Sequence, residues 1–163
     1  MKIRPATYDD LPGILEIYND AVLNTTASYD YEPRTLGHRI AWFEDHVKHN
    51  YPVFVAVNPE GRVVGWSALN RYHDRFGYRF TTENSVYVAA EQRRKGIGQM
   101  LLAPLIQAAR ERGFHAIIAA IDAQNEVSIR LHASFGFQHV GHFKQVGFKF
   151  DRWLDVAYME LLL

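Results

Sequence analysis

Apolar residues recur at helical spacing in four stretches of the chain. Leu11, Ile14, Leu15, Tyr18, Ala21 and Val22, behind the acidic pair Asp9 and Asp10, predict a first amphipathic helix. Leu36, Ile40, Phe43 and Val47 place the apolar face of a second over residues 35–49, with charge on its other face. Ile97, Met100, Leu101, Leu105, Ala108 and Ala109 predict a third over residues 96–112, closed by Gly113, and Pro104 inside it is expected to bend it or remove a hydrogen bond. A short fourth helix covers residues 125–135 and ends at Gly136. Between the helices lie strand patterns at residues 2–6, 53–57, 62–72, 83–88, 116–121, 137–150 and 153–161. The turn Asn58-Pro59-Glu60-Gly61 joins the second and third strands as a hairpin, and the unbroken apolar run 116–121 marks a strand buried on both faces. Antiparallel pairs at both ends of a strand–helix–strand unit predict a mixed α/β sheet, and with no repeat or linker in sight the expectation is one domain over residues 1–163.

Composition narrows the chemistry. Lys and Arg number 18 and Asp and Glu 18, so the chain lacks the cationic surplus of a general nucleic-acid binder. The absence of cysteine removes disulfides, thiolate nucleophiles and cysteine-based metal sites. The first residues carry no signal-peptide core, and no apolar stretch approaches the roughly 20 residues that span a bilayer. A cytoplasmic protein with neither a membrane nor a nucleic-acid partner is therefore expected. His46 and His49 meet on one helical turn without a third ligand nearby, so no metal is expected.

The informative segment is Val86-Tyr87-Val88 followed by Gln92-Arg93-Arg94-Lys95-Gly96-Ile97-Gly98-Gln99 at the head of the third helix. Glycines there let backbone N–H groups converge on an anion at a helix N-terminus, and a pyrophosphate is the expected guest. The spelling excludes a P-loop, because the lysine precedes the glycine, and a dinucleotide fingerprint, because Leu101 stands where a third glycine belongs. Arg93-x-x-Gly96-x-Gly98 after a strand resembles the acetyl-CoA signature of the Gcn5-related N-acetyltransferases (GNAT). Asn125, then Ser128-Ile129-Arg130-Leu131-His132 and Phe135-Gly136-Phe137, resemble the family's second cofactor segment. Thr82-Glu83-Asn84-Ser85-Val86-Tyr87-Val88, with Val146-Gly147-Phe148-Lys149-Phe150 and Arg152-Trp153-Leu154-Asp155, is similar to the phosphinothricin and methionine sulfoximine acetyltransferase branch.

The resemblance implies a mostly antiparallel, twisted sheet with a central, splayed parallel strand pair and flanking helices. It implies acetyl-CoA as cosubstrate, the α-amino group of a small amino-acid analogue as acceptor, detoxification as the task, and a homodimer. Where many relatives carry a tyrosine on the fourth helix, this chain has His132, which the branch pairs with the glutamate before the central strand. Glu83 and His132 are thus the candidate acid–base residues, and the Val88 N–H the candidate holder of the thioester oxygen. Val86, Tyr87 and Val88, the loop Arg93 to Gln99, Asn125 and Ser128 are the candidate cofactor residues. Asn125 also suits a helix N-cap. For the acceptor the candidates are Glu83, Tyr31 and Phe148, with Arg75, Arg79 and Lys149 as cations for its carboxylate. Tyr29, Trp66 and Tyr72 are further pocket aromatics. A peptide or other amine as acceptor, and a non-catalytic acyl-CoA-binding domain, are the rival expectations.

Overall fold

A computed structural model describes residues 1–163. Seven strands form one sheet, in chain order β1 (Lys2–Pro5), β2 (Val53–Val57), β3 (Val63–Arg71), β4 (Thr81–Val88), β5 (Ala116–Asp122), β6 (Gln138–Lys149) and β7 (Arg152–Leu162). Their spatial order is β1-β2-β3-β4-β5-β7-β6. Every neighbouring pair is antiparallel except β4 and β5, which run parallel, and their pairing covers only Thr81–Ala116, Thr82–Ile117 and Glu83–Ile118. Beyond those residues the two strands separate, as the resemblance implied.

Helices α1 (Leu11–Asn24) and α2 (Leu36–Lys48) cover one face of the sheet, and α3 (Ile97–Glu111) and α4 (Glu126–Ser134) the other. Strand parity divides the core. Val53, Val55, Trp66 and Ala68 meet Leu11, Ile14 and Phe43 on the first face, whereas Ile117, Ala119 and Ile121 meet Leu102, Leu105 and Ile106 on the second. Burying such side chains is worth about 1.5–3 kcal/mol each, which is what holds four short helices to the sheet.

Two helical expectations need correction. On α2 the buried residues are Arg39, Phe43 and His46, while Leu36 and Val47 are exposed. The face is rotated because the Arg39 guanidinium stacks over Tyr18, Trp42 and Trp66 at 4.6, 4.5 and 5.5 Å, and because His46 spends both ring nitrogens on Trp42 O and Asn70 Oδ1. On α3 the helix runs through Pro104 without interruption. Pro104 withholds an N–H from the carbonyl of Met100, an exposed residue whose carbonyl water can serve.

Candidate active site

The separation of β4 from β5 makes the site. The Ala89 N–H donates to Val64 O at 3.0 Å, and Val88 stands opposite Gly65, so alternation turns the main-chain groups of Asn84, Val86 and Val88 away from β3. They face the side where β5 has departed. The Val88 N–H therefore opens into the split, and its carbonyl takes the Arg93 Nε–H at 3.3 Å. A strand edge with free donors and acceptors is a template for an extended, amide-bearing ligand.

Above the split, α3 begins without a side-chain cap. Gly96 (φ +78°) and Arg94 (φ +62°) are left-handed, which curls the loop so that its amides point inward. None of the N–H groups of residues 94–99 finds an acceptor within the protein. Gly96 is required by its left-handed backbone, and a Cβ on Gly98 would press on Leu131 at 3.0 Å, so both positions call for glycine. The cleft measures about 840 Å³ and is lined by Val86, Tyr87, Val88, Arg93, Arg94, Gly96, Ile97, Gly98, Gln99, Asn125 and Ser128, among others. A pyrophosphate fits this donor set.

Lys95 departs from expectation: it is exposed, lies outside the cleft wall and donates to Gln92 Oε1 at 3.1 Å. Asn125 serves as the N-cap of α4, accepting from the Ser128 N–H at 3.1 Å. The opposite wall, from Asn24 to Ala27 with Phe150 and Arg152, carried no sequence signal because it comes from chain segments more than a hundred residues apart. The Tyr87 hydroxyl, donating to Ala27 O at 3.1 Å, ties that wall to β4.

Glu83 and His132 flank the split from opposite faces. Glu83 shares its face with Asn70, Ser85, Tyr87 and Ile118, and is half-buried. Burial pushes its carboxyl above the usual carboxylate range, opposed by the positive charge His73 can carry. On the same face Ala120 is exposed although its strand is an inner one, and Tyr158 pairs with it, so the sheet opens to solvent two residues beyond Ile118, the partner of Glu83. His132 lies on the α3–α4 face at 3% exposure, where burial pulls its pKa down. Its Nδ1 lies 2.8 Å from Ser128 O and its Nε2 2.9 Å from Asn84 Nδ2.

The acceptor candidates divide. Lys149 is buried at 3% exposure, with its ammonium donating to Val22 O, Thr25 O and Ser28 O at 2.6, 2.8 and 2.7 Å. All three N–H groups are thus spent on the main chain, which overturns its expected role as a carboxylate clamp. Arg79 lies over the rings of Phe76 and Phe80 and donates to Phe76 O. Arg75 is exposed beside His73, Asp74 and Tyr78, and its guanidinium makes no hydrogen bond within the protein. Tyr31 is exposed and its hydroxyl donates to Phe148 O, which joins the 25–33 loop to the last hairpin. Trp66, at 2% exposure, belongs to the core and not to a pocket.

Comparison with known proteins turns on the same elements. The model of the acetyltransferase (GNAT) family matches residues 14–137, from α1 through the split strand and cradle to the end of α4. The chain belongs to this family. It is therefore an N-acetyltransferase. It is 47% identical over 161 residues to the L-methionine sulfoximine/L-methionine sulfone acetyltransferase of Pseudomonas aeruginosa, covering 99% of this chain and 94% of that one. To the L-amino acid N-acyltransferase MnaT of Escherichia coli it is 42% identical, covering 100% and 94%. The crystal structure of a phosphinothricin acetyltransferase from Sinorhizobium meliloti in complex with acetyl-CoA superposes with a TM-score of 0.97 at 38% identity, covering 99% of this chain and 88% of that one. No group of three or more His, Asp or Glu side chains is placed to hold a metal ion, and no helix is long and apolar enough to cross a membrane.

Proposed function

We propose that this enzyme transfers the acetyl group of acetyl-CoA to the α-amino group of a small amino-acid analogue of the methionine sulfoximine, methionine sulfone or phosphinothricin type. The observation that carries this reading is the split between β4 and β5, with the N–H cradle on one side and a half-buried glutamate beside an opening on the other. Acetyl-CoA supplies the acetyl group as a thioester. The amides of residues 94–99, with Arg93 and Arg94, hold the pyrophosphate, and the free edge of Val86 and Val88 holds the pantetheine arm. The Val88 N–H stabilises the negative charge that develops on the carbonyl oxygen. Glu83, facing the opening, takes the proton an ammonium must lose before it can attack, directly or through a water. His132, on the other face, serves the departing sulfur. Arg75, the free cation, binds the acceptor carboxylate, with Arg79 behind it.

The names of the relatives support the substrate class, and detoxification of such analogues in the cytoplasm is the role that goes with it. The whole chain acts as one catalytic domain. The β6–β7 hairpin leaves Val140, Phe143, Val146, Phe150 and Trp153 exposed, and we assign that apolar surface to a homodimer contact.

The test is release of free thiol from acetyl-CoA across a panel: L-methionine sulfoximine, L-methionine sulfone, phosphinothricin, their α-carboxamides and a peptide with a free N-terminus. The free acids should exceed their amides in kcat/KM by about 10-fold or more, the worth of a charge-assisted hydrogen bond. Equal rates for acid and amide, or preference for the peptide, would replace this reading with a general amine acetyltransferase. Binding of acetyl-CoA without turnover of any amine would leave only a binding domain. Sedimentation run alongside should give a dimer, and a monomer would remove the hairpin assignment.

A further inference from the structure

The polar contacts of His132 leave it one outlet. Ser128 O, 2.8 Å from Nδ1, can only accept, so Nδ1 carries a hydrogen. In the neutral ring Nε2 then has a lone pair, and what meets it at 2.9 Å is Asn84. That fixes the amide: its Nδ2–H donates to Nε2, and its Oδ1 is turned away, buried and without a partner. The remaining neighbours are the Ser128 hydroxyl at 3.4 Å and the Phe137 ring, edge-on at 5.0 Å. From α4, β4 and the segment before β6, no charged or titratable group faces the imidazole. Asn84 is itself only 8% exposed and is the first residue of β4 beyond the pairing with β5.

Any change in the protonation of Nε2 is therefore met first by Asn84. When the ring gains that proton, two N–H groups face each other, and half a turn of the amide brings the idle Oδ1 onto Nε2–H. When the ring gives the proton up, the amide turns back. We propose that Asn84 is the positioning residue that sets the protonation equilibrium of His132, its amide presenting N–H to the neutral imidazole and Oδ1 to the imidazolium. The orphaned Oδ1 is the second position of a two-position switch. This rests on the reading of His132 as an acid–base residue of acetyl transfer. The amide carries no proton itself: the proton that binds Nε2 is the proton that later leaves it, while Asn84 only turns.

The experiment follows the ring ¹⁵N shifts of His132, assigned against His132→Gln, through a pH titration of wild type, Asn84→Asp and Asn84→Ala, alongside the pH profile of kcat. Asn84→Asp offers Nε2 a permanent acceptor of negative charge and should raise the titration by about 1–3 pH units, the usual effect of an adjacent opposite charge. The limb of the kcat profile that reports His132 should move with it. Asn84→Ala removes the donor that favours the neutral ring and should raise the titration by less. It also serves if the buried carboxylate prevents folding. Unchanged ring shifts in the folded variants would overturn the proposal whatever His132 does. Ring shifts that move while the rate profile stays would show that His132 takes no part in proton transfer. That is the failure of the underlying reading, and the positioning role falls with it.

Discussion

Replacing Lys149 with methionine separates a structural lysine from a substrate-binding one. The side chain is almost fully buried and its ammonium holds three carbonyls, two from the end of α1 and the turn after it and one from the approach to Tyr29. Burial pushes its pKa down, yet three acceptor-only partners require three hydrogens on the nitrogen. Methionine fills the volume and donates nothing. Three charge-assisted bonds are worth about 1.5–3 kcal/mol each, and the relief of no longer desolvating an ammonium returns several kcal/mol. The net loss should be about 3 kcal/mol, or a fall of about 6–12 °C in Tm for a chain of this size. Scanning calorimetry at fixed protein concentration measures it. With the anchor lost, the wall from Asn24 to Ala27 loosens, so acetyl-CoA binding should weaken together with acceptor KM. If Lys149 were instead a carboxylate clamp, the variant would keep its Tm within about 2 °C and raise KM for the acceptor alone, which would refute the assignment.

Gly96→Val should weaken acetyl-CoA binding by about 10-fold or more with the fold retained, since it adds a branched side chain to the cradle at a left-handed residue, and calorimetric titration measures this. Glu83→Gln should lower kcat by about 10²-fold or more, leave acetyl-CoA affinity nearly unchanged and abolish the acidic limb of the rate profile, which in wild type lies above the ordinary carboxylate range. The same substitution should raise Tm at neutral pH. A carboxyl whose folded pKa is raised costs stability above the unfolded pKa, and the gain should vanish as pH falls below that value.

The cofactor half of the site was legible because its signals are local: a β-prone run, a glycine-bearing loop and an amphipathic helix follow one another within about twenty residues. Main-chain chemistry needs little more than that order. The acceptor half depends on contacts between distant segments. Lys149 reads as a surface cation until Val22, Thr25 and Ser28 are seen to surround it. Gly147 reads as a hairpin glycine until a Cβ there is seen to collide with the Tyr29 ring. On α2, a hydropathy pattern assigns arginine and histidine to solvent, and stacking on aromatics with main-chain hydrogen bonds reverses that. Asn84 was within reach, because period-two alternation already set it on the face opposite Glu83, but nothing local marked it as the partner of His132.

Glu83 and Asn84 are consecutive residues, yet they face opposite sides of the sheet, Asn84 meeting His132 and Glu83 the side proposed for the incoming amine. The division of labour across the sheet is therefore a matter of odd and even numbering along β4. Length changes among residues 73–80, on the exposed approach to the strand, leave that parity intact and can reshape the acceptor opening freely. A single residue inserted between Glu83 and Val88 does the reverse: relative to the fixed Glu83, every later side chain changes face and the Val88 N–H turns back toward β3. Diversification of substrate can proceed through the loop, while the strand is constrained in its count as strictly as in its chemistry.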